Sequence, residues 1–376
     1  MNQSFTDIRI QNFKSIKDIE LKCKRINILI GRPNVGKSNI IEAISLFGAP
    51  YDLFHDHGND YNYKAFKNIL RYKQISHLFY FQNINEQIEI ESNLGSVLLN
   101  SINAFGSQRF NAICGQKSSD VFELKDTVIE PSSMNKLRDK FFNEYKETST
   151  MQPWGVTIMP SGQFGQPQFQ IDNFDSIVKR YIFDKKNLFE YLKQPAIRYF
   201  LFPPFGENLT FILNNNHELI DEFGEILYSY GLEVVIDEFT NSVKIQRKIG
   251  RKINELPFDL IADTLQRLIF FNAAIQSNKK AVLLFEEPES HSFPPYVAAL
   301  AQKITHDPHN QYFVATHSPY LLSELLENNS YDDVNLFYCD YVDHKTTIRA
   351  LEEEEISKVL NYGIDIFFNL DDFSNV

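Results

Sequence analysis

Short apolar runs, each closed by glycine or by polar residues, mark out this chain. Ile26-Asn27-Ile28-Leu29-Ile30 is apolar at four of its five positions and predicts a buried strand ending at Gly31. Residues 39–47 then carry the spacing of an amphipathic helix that ends near Gly48. Far downstream, residues 281–285 (AVLLF) are continuously apolar, as in a parallel strand covered on both faces. Residues 311–315 (QYFVA) have similar character. Between these anchors, the alternation Ile88-Glu89-Ile90 predicts a strand pair within 80–92. Residues 134–146 and 185–193 predict helices, and 154–170, rich in Gly, Pro and Gln, a loop or β-hairpin. Residues 197–202 predict a strand. Pro203-Pro204-Phe205-Gly206-Glu207-Asn208 then turns the chain into a helix over 209–213. A helix is expected over 217–230, a hairpin over 232–249, a mainly helical stretch over 256–277 and a helix over 352–361. No heptad pattern persists, so no long coiled coil is expected.

The chemistry sits at the ends of the apolar runs. Gly31-Arg32-Pro33-Asn34-Val35-Gly36-Lys37-Ser38 fits G-x-x-x-x-G-K-[ST] at every fixed position, with Asn39 next in line. A strand, a glycine loop and a helix N-terminus follow in the order such a loop needs. Backbone N–H groups and the positive helix end would cradle phosphates. Lys37 would reach the β- and γ-phosphates, and the Ser38 hydroxyl would ligate Mg²⁺. The same string suits a GTPase, but that reading needs D-x-x-G and N-K-x-D elements. Asp56-His57-Gly58 is one residue short of the first, and Asn278-Lys279-Lys280 is followed by Ala281. The second cluster is Glu286-Glu287-Pro288-Glu289, at the C-terminal end of the 281–285 run, where open α/β sheets bind ligands. Glu286 is the expected Mg²⁺ acid and Glu287 the expected general base. His317, between Thr316 and Ser318 after the 311–315 run, is read as a sensor of the nucleotide. The long span between the two clusters points to ABC-type heads.

Four segments carry a family resemblance: residues 8–16 (IRIQNFKSI), the loop GRPNVGKSN, FEEPESHSFP and ATHSPYLL. Together they resemble the ABC-type ATPases related to chromosome-maintenance (SMC) proteins. Within that group they look most like the ATPase part of the overcoming-lysogenisation-defect nucleases and the ATPase subunit of PARIS-type anti-phage systems. The resemblance is strong over 1–50 and 250–330 and weak between them. It implies an α/β fold, an ABC-type P-loop ATPase head with a mixed sheet and an inserted α/β lobe. The expected divisions are 1–94 and 250–350 for the head, 95–249 for the inserted lobe and 351–376 for a terminal helix and tail. The resemblance implies ATP and Mg²⁺ as cofactors, His317 as the switch histidine near the γ-phosphate, and a head-to-head homodimer or higher oligomer. In such dimers a signature segment of one subunit closes over the ATP of the other. Here the candidate is Ala262, Asp263, Thr264 and Arg267, with Ala262 and Thr264 standing where Ser and Gly are usual. Two further departures are Glu286 in place of Asp and Asn34 in place of a glycine. A degenerate signature implies slow hydrolysis, or ATP acting mainly to hold the dimer. The function implied is a switch in a prokaryotic anti-phage system, sensing a trigger and controlling a separate nuclease or toxin. The alternative is a DNA repair or recombination ATPase that clamps nucleic acid directly. A transporter ATPase fits less well, since no amphipathic coupling surface is readable.

Composition narrows the picture. The chain has 376 residues, 43% hydrophobic and 14% aromatic, enough for one large core with an inserted lobe. Three cysteines, Cys23, Cys114 and Cys339, show no metal spacing, which suits a reducing cytoplasm. There is no signal peptide and no run of 18 apolar residues, so no membrane span is expected. A net charge of −12 argues against broad coating by nucleic acid. It leaves room for one local contact, because Lys244, Arg247, Lys248, Arg251 and Lys252 cluster on a strand-like stretch. Those residues read either as a solvated edge hairpin or as a contact to nucleic acid or an acidic partner. The stretch after His317 is short, so no fused TOPRIM nuclease is expected. The acidic runs 352–355 and 371–372 read as a helix start and a solvated tail. Gln74, Gln82 and the 203–208 turn are all candidates for the glutamine loop of such heads.

Overall fold

The computed structural model of the chain describes residues 4–48, 70–129, 153–161, 176–185, 198–237, 242–327 and 329–361, with isolated positions besides. The chain opens with β1 (Asp7–Phe13), β2 (Ile16–Lys22), β3 (Ile26–Ile30) and helix α1 (Lys37–Ser45). Strands β4 (Ile88–Ser92), β5 (Gly95–Ala104) and β6 (Ser107–Gly115), the short helix α2 (Ser118–Phe122), β7 (Trp154–Ile158) and β8 (Val178–Tyr181) follow. Helices α3 (Leu209–Asn215) and α4 (His217–Tyr228) lead to β9 (Glu233–Asp237), β10 (Ser242–Ile249), β11 (Lys252–Pro257) and helix α5 (Asp263–Ser277). The last part runs β12 (Val282–Glu286), α6 (Pro294–His306), β13 (Gln311–Ala315), α7 (Pro319–Glu327), β14 (Val334–Val342), β15 (Lys345–Ala350) and α8 (Glu353–Asn361).

The central sheet has the order β15-β14-β3-β13-β12-β8. Strands β14, β3, β13, β12 and β8 are parallel, and β15 turns back antiparallel at the edge. The mixed α/β head implied by the sequence is what the chain forms. The apolar runs are continuous because both faces of the sheet are covered. Ile28, Leu283, Phe285, Tyr312 and Val314 pack on one side with α3 to α7. Leu29, Leu284, Phe313 and Ala315 point the other way, onto Ile40, Ile41 and Ile44 of α1. Behind α1 lies an antiparallel sheet, β2-β1-β4-β5-β6-β7, so α1 is held between two sheets in one apolar core. Between β3 and β12 lies β13, so the strand feeding the glycine loop and the strand carrying Glu286 are not neighbours. A third sheet, β11-β10-β9, packs Val243 and Ile245 against the α3–α7 side.

Several expectations are corrected. Of the strand pair expected over 80–92, only β4 is a strand; residues 80–82 form a 3₁₀ turn with Phe81 and Gln82 at positive φ. Residues 198–202 form no strand. The Asn208 side chain takes the place of a strand neighbour there, accepting from Phe202 N at 2.6 Å and donating to Phe200 O at 2.9 Å. The mainly helical stretch 256–277 begins later, because 256–257 complete β11 and α5 starts at Asp263. The sheets also cut across the expected divisions. The β4–β5 hairpin spans residue 94, β5 to β7 extend the sheet of β1 and β2, and β8 joins the central sheet. The helices expected over 134–146 and 185–193, most of the 154–170 loop and the 371–372 tail lie largely outside the described residues. No helix among the described residues is long and apolar enough to cross a membrane.

Gln311, at the start of β13, ties the two sheets together. Its Oε1 accepts from Phe5 N at 2.8 Å, and its Nε2 donates to Phe5 O at 2.8 Å and Lys24 O at 2.7 Å. Gln311→Leu should strand these buried backbone groups and cost about 2–3 kcal/mol, read as a lower urea midpoint.

Candidate active site

All parallel strands of the central sheet deliver their C-terminal ends to one edge, and the candidate residues collect there. The loop after β3 requires its glycines. Gly31 has φ 147°, and a Cβ on it would lie 2.2 Å from the Cys339 carbonyl oxygen of β14. Gly36 has φ 106°, and a Cβ there would lie 2.1 Å from Thr346 Oγ1 of β15. Asn34 takes the left-handed conformation at φ 64°, which Asn tolerates better than most residues. Thr346 Oγ1 donates to Val35 O at 2.9 Å and lies 2.6 Å from Ser15 Oγ. Asn39 Nδ2 donates to the same Ser15 Oγ at 2.7 Å. The loop is thus braced from behind by β15 and by the β1–β2 turn. Lys37 is only 6% exposed. Its Nζ donates to Gly31 O at 2.8 Å and Arg32 O at 2.9 Å, across the loop. Burial pulls its pKa down, against the fields of Glu287 and Glu286.

Glu286, at the tip of β12, has the Ser38 side chain beside it, which favours the ionised carboxylate. Arg180 Nη2 of β8 lies 2.8 Å from Glu286 Oε2, and Arg71 Nη1 3.1 Å from Oε1. Burial alone would raise this carboxyl, but Arg180, Arg71 and Ser38 outweigh it and hold it below the usual range. Arg71 also bonds Glu42 of α1, which is fully buried and takes Lys14 as its second cation. Lys14, Glu42, Arg71, Glu286 and Arg180 therefore form one chain of alternating charge. Its arginines and its buried Glu42 belong to no readable motif, and sequence reasoning missed them.

Glu287 differs from its neighbour. Its backbone has φ 44°, its N–H donates to Ala315 O at 2.8 Å, and its side chain is 51% exposed. Ser290 Oγ donates to Glu287 Oε2 at 3.1 Å, and His317 Nε2 lies 3.8 Å from Oε1. Burial, then Lys37, lowers the His317 pKa, with Glu287 opposing. Glu289 closes the acidic motif, and its sequence context implies no role for it. It is buried, and its Oε1 accepts from both the Thr316 hydroxyl and the His317 N–H, the latter at 3.2 Å. One carboxyl oxygen thus joins the loop of Glu287 to the loop of His317.

The signature candidates make contacts within the chain. Asp263 pairs with Lys185 at 3.1 Å, and Thr264 Oγ1 donates to His291 O at 2.8 Å. The Arg267 guanidinium lies 4.8 Å from the centre of the Phe183 ring. Ala262 precedes α5 and offers no side-chain cap. Pro33 and Val35 shape the loop without polar side chains. Gln74 and Gln82 border the 3₁₀ turns at 75–78 and 80–82, on the segment that supplies Arg71. Lys244 is engaged by Asp237 at 2.7 Å and Glu255 at 3.4 Å, which separates it from the other four basic residues of its cluster.

Comparison with known proteins gives one family. The profile described as "AAA domain, putative AbiEii toxin, Type IV TA system" matches residues 26–323. No curated protein matches the chain. Among solved structures, similarity is found to an Smc head bound to the C-winged helix domain of ScpA, at 14% identity, 93% of this chain, 99% of that chain and a TM-score of 0.47. The SMC head domain from Thermotoga maritima gives 12%, 93%, 99% and 0.39. The Smc head domain with an extended coiled coil, bound to the C-terminal domain of ScpA derived from Pyrococcus furiosus, gives 12%, 95%, 98% and 0.47. The glycine loop, the acidic strand tip and His317 all lie within the stretch matched by the profile, and the chain belongs to this AAA-domain family.

Proposed function

We propose that the chain is an ATP-hydrolysing switch, working as a head-to-head dimer that controls a separate nuclease or toxin. The observation that carries the ATPase reading is the meeting of Lys37, Ser38, Glu286, Glu287 and His317 at one sheet edge. The Ser38 hydroxyl and the ionised Glu286 carboxylate adjoin, and they suit Mg²⁺ as hard oxygen donors. Bound there, Mg²⁺ would neutralise phosphate charge. Lys37, buried behind the loop, would turn from the Gly31 and Arg32 carbonyls to phosphate oxygens. Glu287 is accessible and not clamped by arginine, so it is the carboxylate free to take a proton from water. His317 beside it, with a lowered pKa, would orient that water as a neutral imidazole. The family description names a toxin of a toxin–antitoxin system, which supports an effector-control role over housekeeping hydrolysis. Asp263, Thr264 and Arg267 are engaged within their own subunit, which supports few contacts across the dimer and slow turnover.

Lys37→Ala should weaken ATP binding by roughly a hundredfold, the loss of a charge-assisted phosphate contact, measured by isothermal titration calorimetry. Unchanged affinity removes the assignment.

Glu287→Gln should bind ATP as wild type does and turn over about 10²–10⁴ times more slowly. Light scattering of this variant with ATP should give the dimer mass. A monomer under all conditions rules out the shared-site switch.

Glu289 supplies a pH test. Burial raises its carboxyl, with the bonds from Thr316 and His317 opposing. A raised folded pKa gives stability that is full below the ordinary value of 4.5 and declines as pH rises above it. Glu289→Gln keeps an acceptor oxygen and cannot ionise, so its urea midpoint should decline less over that range. Parallel declines in the two proteins would assign the slope to another group.

A further inference from the structure

The four basic residues left after Lys244 stand on a structure of their own. Strand β10 pairs with β9 only as far as Gln246, opposite Glu233. Its pairing with β11 continues to Ile249, opposite Lys252. Residues 247–254 are therefore a two-stranded ribbon beyond the three-stranded sheet, closed by Gly250 at φ 61° and Arg251. Every residue of the ribbon is exposed. Its sequence, RKIGRKIN, carries Arg247, Lys248, Arg251 and Lys252 and no acid. None of these four cations has a hydrogen-bond or ion-pair partner among the described residues.

This charge is out of keeping with the chain as a whole, which has 49 acidic and 37 basic residues. Lysine commonly protects a sheet edge, which accounts for Lys248 and Lys252 but not for the two arginines and the two exposed isoleucines beside them. The register adds a second point. Ile249 sits opposite Lys252 and Lys248 opposite Ile253, so adjacent cross-strand pairs place one lysine and one isoleucine on each face. Both isoleucines are exposed, at 61% and 56%. A ribbon that is cationic and apolar on both faces suits a cleft with anionic walls and an apolar floor. It does not suit a flat acidic surface, which would use one face.

We propose that ribbon 247–254 inserts into the major groove of duplex DNA. That groove admits a two-stranded β-ribbon, is walled by phosphates and presents base edges and thymine methyls. Arg247, Lys248, Arg251 and Lys252 would neutralise phosphates on the two walls, and Ile249 or Ile253 would meet the base edges. The major groove of duplex RNA is too deep and narrow for side chains to read, so the ribbon distinguishes the two duplexes. The proposal stands on the ribbon alone and does not depend on the ATPase reading.

The test uses the full chain and a fluorescein-labelled mixed-sequence DNA duplex, followed by anisotropy over a salt titration. Four phosphate contacts predict a slope of log K against log salt of about −3 to −4. The pairs Arg247→Ala with Lys248→Ala, and Arg251→Ala with Lys252→Ala, should each flatten that slope by about 2. Thermal midpoint and basal ATP turnover should stay at wild-type values, because the ribbon contributes nothing to the core. Three results would overturn the proposal. One is a slope unaltered when all four residues are replaced. Another is equal binding of the matching RNA duplex. The third is binding of polyglutamate with no binding of DNA, which would assign the ribbon to an acidic protein.

Discussion

A phosphate-binding loop is mostly bare backbone, and bare backbone cannot hold its own shape. In this chain the shape is imposed by contact with β14 and β15. At Gly31 the Cys339 carbonyl, and at Gly36 the Thr346 side chain, come too close for any Cβ. The hydroxyl of Thr346 then fixes Val35, and Ser15 links Thr346 to Asn39 at the start of α1. The consequence is that the loop depends on residues at both ends of the chain. Without β15 in place, the glycines would be free to leave the left-handed region, where they lose more conformational freedom on ordering than other residues. The antiparallel edge strand is therefore part of the site's foundation, although it supplies no candidate side chain to it.

The second constraint is electrostatic. Three carboxyls within four residues meet three different surroundings. Glu286 is partly buried but ringed by Arg180, Arg71 and Ser38, so it stays ionised. Glu289 is buried with hydrogen-bond donors and, among the described residues, no cation bonded to it, so it is pushed towards its neutral form. Glu287 between them is half exposed and free to act on solvent. Environments that separate the behaviour of neighbouring acids are how a site assigns different tasks to one residue type. Here the separation follows from the sheet. β12 has β8 on one side, which brings Arg180, and β13 on the other, which brings Thr316 and His317.

What the sequence revealed and what it hid follow the same division. Strands β3, β12 and β13 were legible because a strand buried on both faces needs an unbroken apolar run. The glycine loop was legible because its backbone tolerates few residue types. The charge chain was not, since Lys14, Glu42, Arg71 and Arg180 lie far apart in sequence and none has a fixed spacing from Glu286. Arg180 and Lys179 even disguise β8, because two buried cations in a four-residue strand erase the apolar pattern. The antiparallel sheet was misjudged for another reason. Alternation locates a strand but does not say which sheet it joins, and β5 to β7 read as a separate lobe until their pairing with β4 was seen. Residues 198–202 have strand composition, and the Asn208 side chain overrides it by satisfying their backbone locally.

Helix α5 connects the two regions of the molecule that carry unusual chemistry. At its N-terminal end Thr264 holds the His291 carbonyl, in the loop that begins with Glu287. Arg267 feels the fields of Asp263, Glu287 and Glu289 while its guanidinium rests on Phe183. Along its length Leu265, Ile269 and Phe270 share a core with Val243 and Ile245 of β10 and with Phe258, just after β11. Phe258 in turn meets Phe223 of α4 at a ring separation of 5.8 Å. The sheet that bears the basic ribbon therefore shares one core with the helix that holds the loop of the exposed carboxylate. Close-packed interiors transmit displacement because they have little free volume to absorb it. Helix α5 meets the third sheet within that one core, and the polar contacts a displacement of α5 would disturb are those of residues 263–267. Of the two residues that depart from the expected signature, Thr264 is engaged at the junction between sheet and acidic loop, where its hydroxyl and the neighbouring Arg267 guanidinium each hold a contact within the chain.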